Sequence, residues 1–415
     1  MAIETRTGPI NIAAAERKEC PVCGKPGSEA IYRQESVPVH SVLLFRSREE
    51  AVNFPRGDLV LIHCRGCGFV WNAAFDESAM RYSGDCEETQ GFSETFNEFQ
   101  RRLAEGLVER HKLRRKKIIE IGCGKGEFLT LLCELGNNSG VGFDPAYVRE
   151  RSRSRESRRV RFVRDFYSHQ YADVQADFIC CKMTLEHVAR PAELFRVIRQ
   201  SIRPGYDPVV FIQIPCFLRI LQETAFWDIY YEHCSYFTLA SLARLFRLTG
   251  FDVLRLERDF GGQYLIAEAR MTNGVKPVVA PAEADDDAEA ASLLPGFEQR
   301  AAESIARWRG YFRAARSAGK RIALWGGGSK AVAFLTATAA GEDVAAVVDI
   351  NPHKHGTYLP GAGHRIFAPH ELREAPPDEV VLMNPVYRDE VRAELEGMGL
   401  RPAIRTVTEE TEVRA

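Results

Sequence analysis

Residues 228–242 read "DIYYEHCSYFTLASL" and set Tyr230, Glu232 and His233 within four positions. A phenol, a carboxyl and an imidazole in such proximity form a proton-handling set. His233, with an unperturbed pKa near ~6.5, suits a general base at neutral pH. Glu232 can orient the imidazole or join a relay, and Tyr230 can donate a hydrogen bond to a developing oxyanion. The competing reading is a structural knot, because the same groups in a dry core would each need a partner. Thr238 is a good N-cap for the helix that follows, so part of the stretch is structural in either case. Tyr231 and Tyr236 read as packing residues.

A second constellation is metallic. "CPVCG" and "CRGCG" give Cys20-x2-Cys23 and Cys64-x2-Cys67, each pair followed by glycine. Two residues between thiolates let a tight turn present both sulfurs to one ion, and the glycine tolerates the backbone angles of that turn. Two such knuckles complete a closed four-thiolate Zn2+ site, a structural role. A redox CxxC would not explain the second pair. The wide gap between the knuckles implies an inserted hairpin or loop, and His63 reads as a neighbour of the site.

Two strand–glycine–helix units follow. "KKIIEIGCGKGEFLTLLCELG" carries Glu120, Gly122, Gly124 and Gly126 in an E-x-G-x-G-x-G run, and "GVGFDP" places Asp144 at the end of the next strand. Glycines permit close approach of a ligand to backbone amides, and an acid after the second strand is placed to accept ribose hydroxyls. "KRIALWGGGSKAVAFL" repeats the arrangement with Gly326, Gly327 and Gly328 at a helix start. Lys330 stands in reach, and Asp349 ends the next strand. Free amides and the helix dipole favour an anion there.

The first form resembles the class I methyltransferases that bind S-adenosylmethionine (SAM). That resemblance implies an adenine contact at Asp165 in "VRDFY". It also matches "DFICCKMTLEHVARPAELFRVIRQSIRPG" to the fourth strand, its loop and the turn before the fifth. Glu186 and His187 in "LEHV" then shape the pocket, and Cys123 is a small loop residue. The arginine run "RERSRSRESRRVRF" reads as a solvated helix face, with a phosphate contact as the alternative.

The elements that must position these groups divide the chain of 415 residues, too long for one ordinary core. Residues 1–85 form a zinc-binding segment and 86–270 a methyl-donor domain. Residues 271–300, rich in Pro, Ala and acids, suit a linker, and 301–415 a C-terminal Rossmann-like nucleotide- or substrate-binding domain. The segment "FSETFNEFQRRLAEGLVERHKL" reads as a helix. The expected fold class is α/β: a class I SAM methyltransferase Rossmann-like fold, a second C-terminal Rossmann-like domain and a small N-terminal zinc domain. A hydrophobic fraction of 45%, a charged fraction of 27% and a net charge of −2 indicate an ordinary soluble protein with no nucleic-acid or membrane partner. No segment suits a membrane span or a secretion signal. The cytoplasm is expected, where eleven cysteines argue for metal rather than disulfides.

All three segments, in this order, resemble the three-domain C-methyltransferases that act on nucleotide-linked keto-deoxysugars. The shared elements are the four cysteines, "EIGCGKGEFL", "IYYEHCSYFT" and "WGGGSKA…VVDINPHKHGTYLPG". The resemblance implies that Tyr230, Glu232 and His233 carry the chemistry and that the nucleotide-sugar lies in the cleft between the two Rossmann-like halves. A monomer is expected. Two departures are visible: "GCGKG" stands where sugar-methylating members usually have a G-S-N-D-G type loop, and Gly261-Gly262-Gln263-Tyr264-Leu265 where they tend to have "GGSLR". The implied reaction is removal of the proton α to a ketone, then attack of the enolate carbon on the methyl of SAM. O- or N-methylation of another small acceptor is the alternative enzyme, and a non-catalytic nucleotide-binding scaffold the alternative outside enzymes.

Overall fold

Short apolar runs bounded by turn residues, the pattern of buried parallel strands, assemble into three sheets. The computed structural model describes residues 12–26, 28–151, 159–272 and 281–409. The first sheet is antiparallel and joins Ser28–Pro38, Arg56–Cys64, Val70–Asn72 and Ser235–Tyr236 in that order. The first two strands, with the short helix Arg48–Val52 between them, are the insertion expected between the cysteine knuckles. The fourth strand comes from far along the chain, Val70 pairing with Tyr236 and Trp71 with Ser235. The cysteine-bearing sheet is thus completed by the residues directly after His233.

The second sheet has seven strands in the order Phe251–Asp259, Tyr264–Met271, Val209–Pro215, Phe178–Lys182, Lys117–Ile121, Ser139–Phe143 and Val160–Val163. Only Tyr264–Met271 runs antiparallel to its neighbours. The helix Glu94–Arg110 covers one face. Ser93 caps it, the hydroxyl accepting from Phe96 N at 3.1 Å. Phe96, Phe99, Leu103 and Leu107 recur at helical spacing and share a buried cluster with Ile118, Leu129 and Phe211. The third sheet is wholly parallel, in the order Ile366–Phe367, Ala346–Val348, Ile322–Trp325, Glu379–Leu382 and Ala403–Thr406.

The stretch read as a linker is corrected by the structure. Residues 273–280 lie outside the described residues, but Pro281–Leu293 form a helix and Phe297–Ser317 a second. The acids of the first helix have dedicated partners. Glu283 meets Arg247 at 2.7 Å, Asp287 meets Arg244 at 2.5 Å, and Asp286 meets Arg258 at 2.5 Å. Acids that would repel one another in an isolated helix are neutralised by arginines of the methyl-donor domain.

The C-terminal domain packs on the rest through Phe226 stacked on Phe334, with centroids 5.7 Å apart. A reciprocal amide pair adds to this: Gln263 Nε2 donates to Asn384 Oδ1 at 2.8 Å, and Asn384 Nδ2 to Gln263 Oε1 at 3.0 Å. Gln263 in "GGQYL" therefore clasps two domains. Among the described residues no helix is long and apolar enough to cross a membrane. Most of the arginine run, residues 152–158, lies outside the described residues. Arg151 beside it pairs with the buried Glu87 carboxylate.

Candidate active site

One cavity of about 1340 Å³ is walled by all three segments. Glu120, Gly122, Gly124 and Asp144 line it on the donor side. The chain leaves strand Lys117–Ile121 through glycines with left-handed φ (+70° at Gly122, +52° at Gly124, +80° at Gly126), a region costly for other residues. Sterics demand glycine as well: a Cβ at Gly122 would lie 2.0 Å from Thr184 Oγ1, and one at Gly126 2.3 Å from the Phe162 ring. Asp144 accepts from Gly124 N at 2.9 Å and from Ala146 N at 2.7 Å, which fixes its carboxylate over the loop. Burial pushes its pKa up despite these bonds. Glu120 is buried, accepts from Leu129 N at 3.0 Å, and is pushed up to about 8 by burial.

Two expected donor contacts are corrected. Gly126 is not on the cavity wall; it caps the helix Glu127–Gly136 under Phe162. Asp165 is also off the wall, its carboxylate taken by Tyr171 Oη at 2.7 Å, Gln170 Nε2 at 2.7 Å and Phe166 N at 2.8 Å. Its neighbours Phe166, Tyr167 and Ser168 line the cavity instead.

On the opposite side Gly326, Gly328, Lys330 and Asp349 line the cavity, whereas Gly327 packs under Ile366. Only Gly326 of the three has a left-handed φ. Lys330 is corrected from a free phosphate ligand to half of an ion pair across the domain boundary. Its Nζ lies 2.6 Å from the Asp228 carboxylate, which Arg219 also holds. Although Asp228 is buried, Lys330 and Arg219 keep its pKa below the ordinary value. The lysine facing the glycines is Lys354, whose Nζ would lie 3.5 Å from a Cβ at Gly328 and sits 3.0 Å from Asp349 Oδ2.

Between the two loops stand Tyr230, Glu232 and His233, all on the cavity wall. Tyr230 and His233 rings are 4.1 Å apart, and the turn closes with His233 N donating to Tyr230 O at 3.1 Å. Burial, His187 and Lys330 hold His233 well below its ordinary pKa, so its ring is neutral with a lone pair available. Glu232 Oε1 accepts from Ser41 N at 2.8 Å and from the Ser41 hydroxyl, with His40 Nδ1 at 3.9 Å; burial pushes this carboxyl up to about 7. Tyr231 and Tyr236 pack as expected: Tyr231 Oη accepts from Asp76 N at 2.8 Å, and Tyr236 Oη donates to Tyr230 O at 3.4 Å. Thr238 forms a capping box with Ser241.

His187 crosses His233 edge to face at 4.8 Å, with Glu186 beside them. Both were expected only to shape the pocket. The signal that marks them is repetition, since the dipeptide Glu-His occurs twice, at 186–187 and 232–233. Ser41 carried no such signal, because its partner is 191 residues away.

The four cysteines converge. Cys20 and Cys67 sulfurs are 3.6 Å apart, as are those of Cys23 and Cys64, and all four lie within 4.8 Å of one another. A tetrahedral zinc with bonds of about 2.3 Å requires sulfur–sulfur edges of about 3.8 Å, so the cluster fits that ion. His63 lies outside it, 3.6 Å from Glu29.

A parallel sheet with this strand order and one antiparallel strand, a glycine loop after its central strand and an acid after the neighbouring one, define a class I SAM-dependent methyltransferase. Residues 92–256 match the family model of a methyltransferase domain, and residues 263–401 that of the C-methyltransferase C-terminal domain. The chain is 24% identical to C-methyltransferase NovU of Streptomyces niveus over 388 residues, 90% of this chain and 91% of that one. The chain is thus a SAM-dependent methyltransferase that is similar to the C-methyltransferases over most of its length. A ubiquinone biosynthesis O-methyltransferase of Escherichia fergusonii is 28% identical over 97 residues, 22% of this chain and 40% of its own. Among solved structures, the 1,6-didemethyltoxoflavin-N1-methyltransferase of Burkholderia thailandensis aligns over 44% of this chain and 83% of its own, at 20% identity and a TM-score of 0.33.

Proposed function

We propose that the protein methylates the carbon α to the ketone of a nucleotide-linked keto-deoxysugar. The observation that carries this reading is the shared cavity, whose wall includes the donor loop, the Tyr230–His233 turn and the second glycine loop. SAM bound at the donor loop would supply a methyl group already activated as a sulfonium. Gly122, Gly124 and Asp144 would hold and orient it. The acceptor's phosphates lie against Gly326, Gly328 and Lys354, which brings the ketone to His233. The neutral His233 ring takes the α-proton; the C–H electrons move into the C=C bond of an enolate, whose oxygen the Tyr230 hydroxyl stabilises. With the donor bound, the enolate carbon would accept the methyl group, the S–CH3 electron pair staying on sulfur. Ser41 keeps Glu232 in register beneath this turn. Positioning supplies much of the acceleration.

His233→Ala is expected to abolish turnover while leaving the thermal shift caused by S-adenosylhomocysteine intact. Deuterium exchange at the α-carbon of a dTDP-4-keto sugar, without donor, is expected for the parent chain and lost in the variant. Turnover without exchange would replace carbon methylation by O- or N-methylation. The four cysteines take a structural zinc in this reading, supported by their sulfur spacing. Metal analysis should find one zinc per chain, lost in Cys64→Ser together with the pairing of Val70–Asn72 and Ser235–Tyr236 and with activity. A zinc-free chain of unchanged stability would rule that site out.

A further inference from the structure

The chemistry above uses one imidazole, yet the cavity wall offers a larger donor set beside it. Glu186 and His187 end a short turn after strand Phe178–Lys182, and His233 faces them from the turn before Ser235. One carboxylate oxygen and one nitrogen of each ring lie within 4.8 Å of one another. Glu186 is 2% exposed. Both of its carboxylate oxygens, and Nδ1 of His187, are buried without a hydrogen-bond partner. A buried carboxylate with neither oxygen satisfied is costly unless something binds it.

One carboxylate and two imidazoles with further positions open toward a cavity form the donor set preferred by divalent first-row transition ions. Donors on one such ion, with bonds of about 2.0–2.2 Å, sit roughly 3–3.5 Å apart. The three donor atoms already lie within 4.8 Å of one another, close to that spacing. We propose that Glu186, His187 and His233 bind a divalent transition-metal ion, and that the ion occupies the His233 lone pair and holds turnover off. The inhibitory half rests on the role given to His233 above; the binding half does not. No bond of the substrate is made or broken in this step: the ion binds reversibly and leaves to a chelator.

The test uses the full, zinc-loaded chain titrated with Co2+ and followed by visible absorption. One equivalent should give weak d–d bands without the strong thiolate-to-cobalt charge-transfer band that displacement at the cysteines would produce. Glu186→Gln and His187→Ala should each weaken this binding at least 10-fold, while S-adenosylhomocysteine still raises Tm, which shows that the fold is kept. Methyl transfer by the parent chain should fall with the same midpoint as the absorbance rises and return on addition of EDTA. Absence of the bands, or equal binding by parent and variants, overturns the site. Activation by Co2+ overturns the inhibitory role. Binding with undiminished turnover upholds the site and removes His233 from the proton transfer.

Discussion

The two strand–glycine–helix units look alike in sequence and differ in what surrounds them. In the donor loop three glycines are left-handed and two have no room for a methyl group, while Asp144 holds the Gly124 amide. In the C-terminal loop one glycine is left-handed; a Cβ at Gly327 would meet only Ile366 at 3.3 Å, and one at Gly328 only Lys354 at 3.5 Å. An acid presides over the first loop and a lysine over the second. The first presents a carboxylate to the cavity, the second a lysine paired with the Asp349 carboxylate. The glycines alternate in the first loop and are consecutive in the second, and the charged residue beside each loop lies outside the glycine run.

The sharpest way to break this contrast is to add one methyl group to each loop. Gly122→Ala places a Cβ 2.0 Å from Thr184 Oγ1 at a φ of +70°. It should eliminate both turnover and the thermal shift given by S-adenosylhomocysteine. Gly327→Ala should change stability by less than about 1 kcal/mol and leave donor binding alone. Equal damage from both would mean that the loops are equally constrained.

The two lysines sharpen it further. Lys330→Met leaves Asp228 with Arg219 as its remaining partner, and the buried carboxylate should cost about 1–3 kcal/mol in unfolding experiments. Lys354→Met removes the cation above Gly328. It should raise the acceptor KM about tenfold while the donor KM stays unchanged. The reverse assignment, with Lys330→Met raising the acceptor KM and Lys354→Met only destabilising, would restore Lys330 as the phosphate ligand.

These contrasts mark what local sequence can carry. Ser93 and Thr238 caps, both cysteine knuckles and both glycine turns were legible because each depends on neighbours within a few residues. The acidic helix was not, since its arginine partners lie 28, 36 and 43 residues earlier in the chain. Lys330 looked free for a phosphate because Asp228, 102 residues earlier, is invisible to spacing. Gln263 looked like a lost serine, and its partner Asn384 is 121 residues on. Asp165 stood at the expected place in the chain, but Tyr171 and Gln170 turned its carboxylate away from the cavity.

The last contrast separates the strands that lead into the loops. Glu120 stands two residues before Gly122, where the C-terminal unit has Leu324 two residues before Gly326. Burial pushes Glu120 up to about 8 from an ordinary 4.5. Between those values the native chain holds a proton that the unfolded chain has released. Stability must therefore fall as pH rises through that window, level off above it, and be unaffected below it. Glu120→Gln keeps a carbonyl to accept from Leu129 N and removes the titration. Glu186 and Glu232, raised in the same sense, remain in the variant, so the difference between parent and variant isolates Glu120. The two unfolding free energies should separate by up to about 1 kcal/mol per pH unit between pH 5 and 8, the variant being favoured at the alkaline end. Parallel curves would mean that Glu120 is ionised in the folded chain, with Lys182 compensating its charge, and that the donor loop carries a second acid rather than a neutral support.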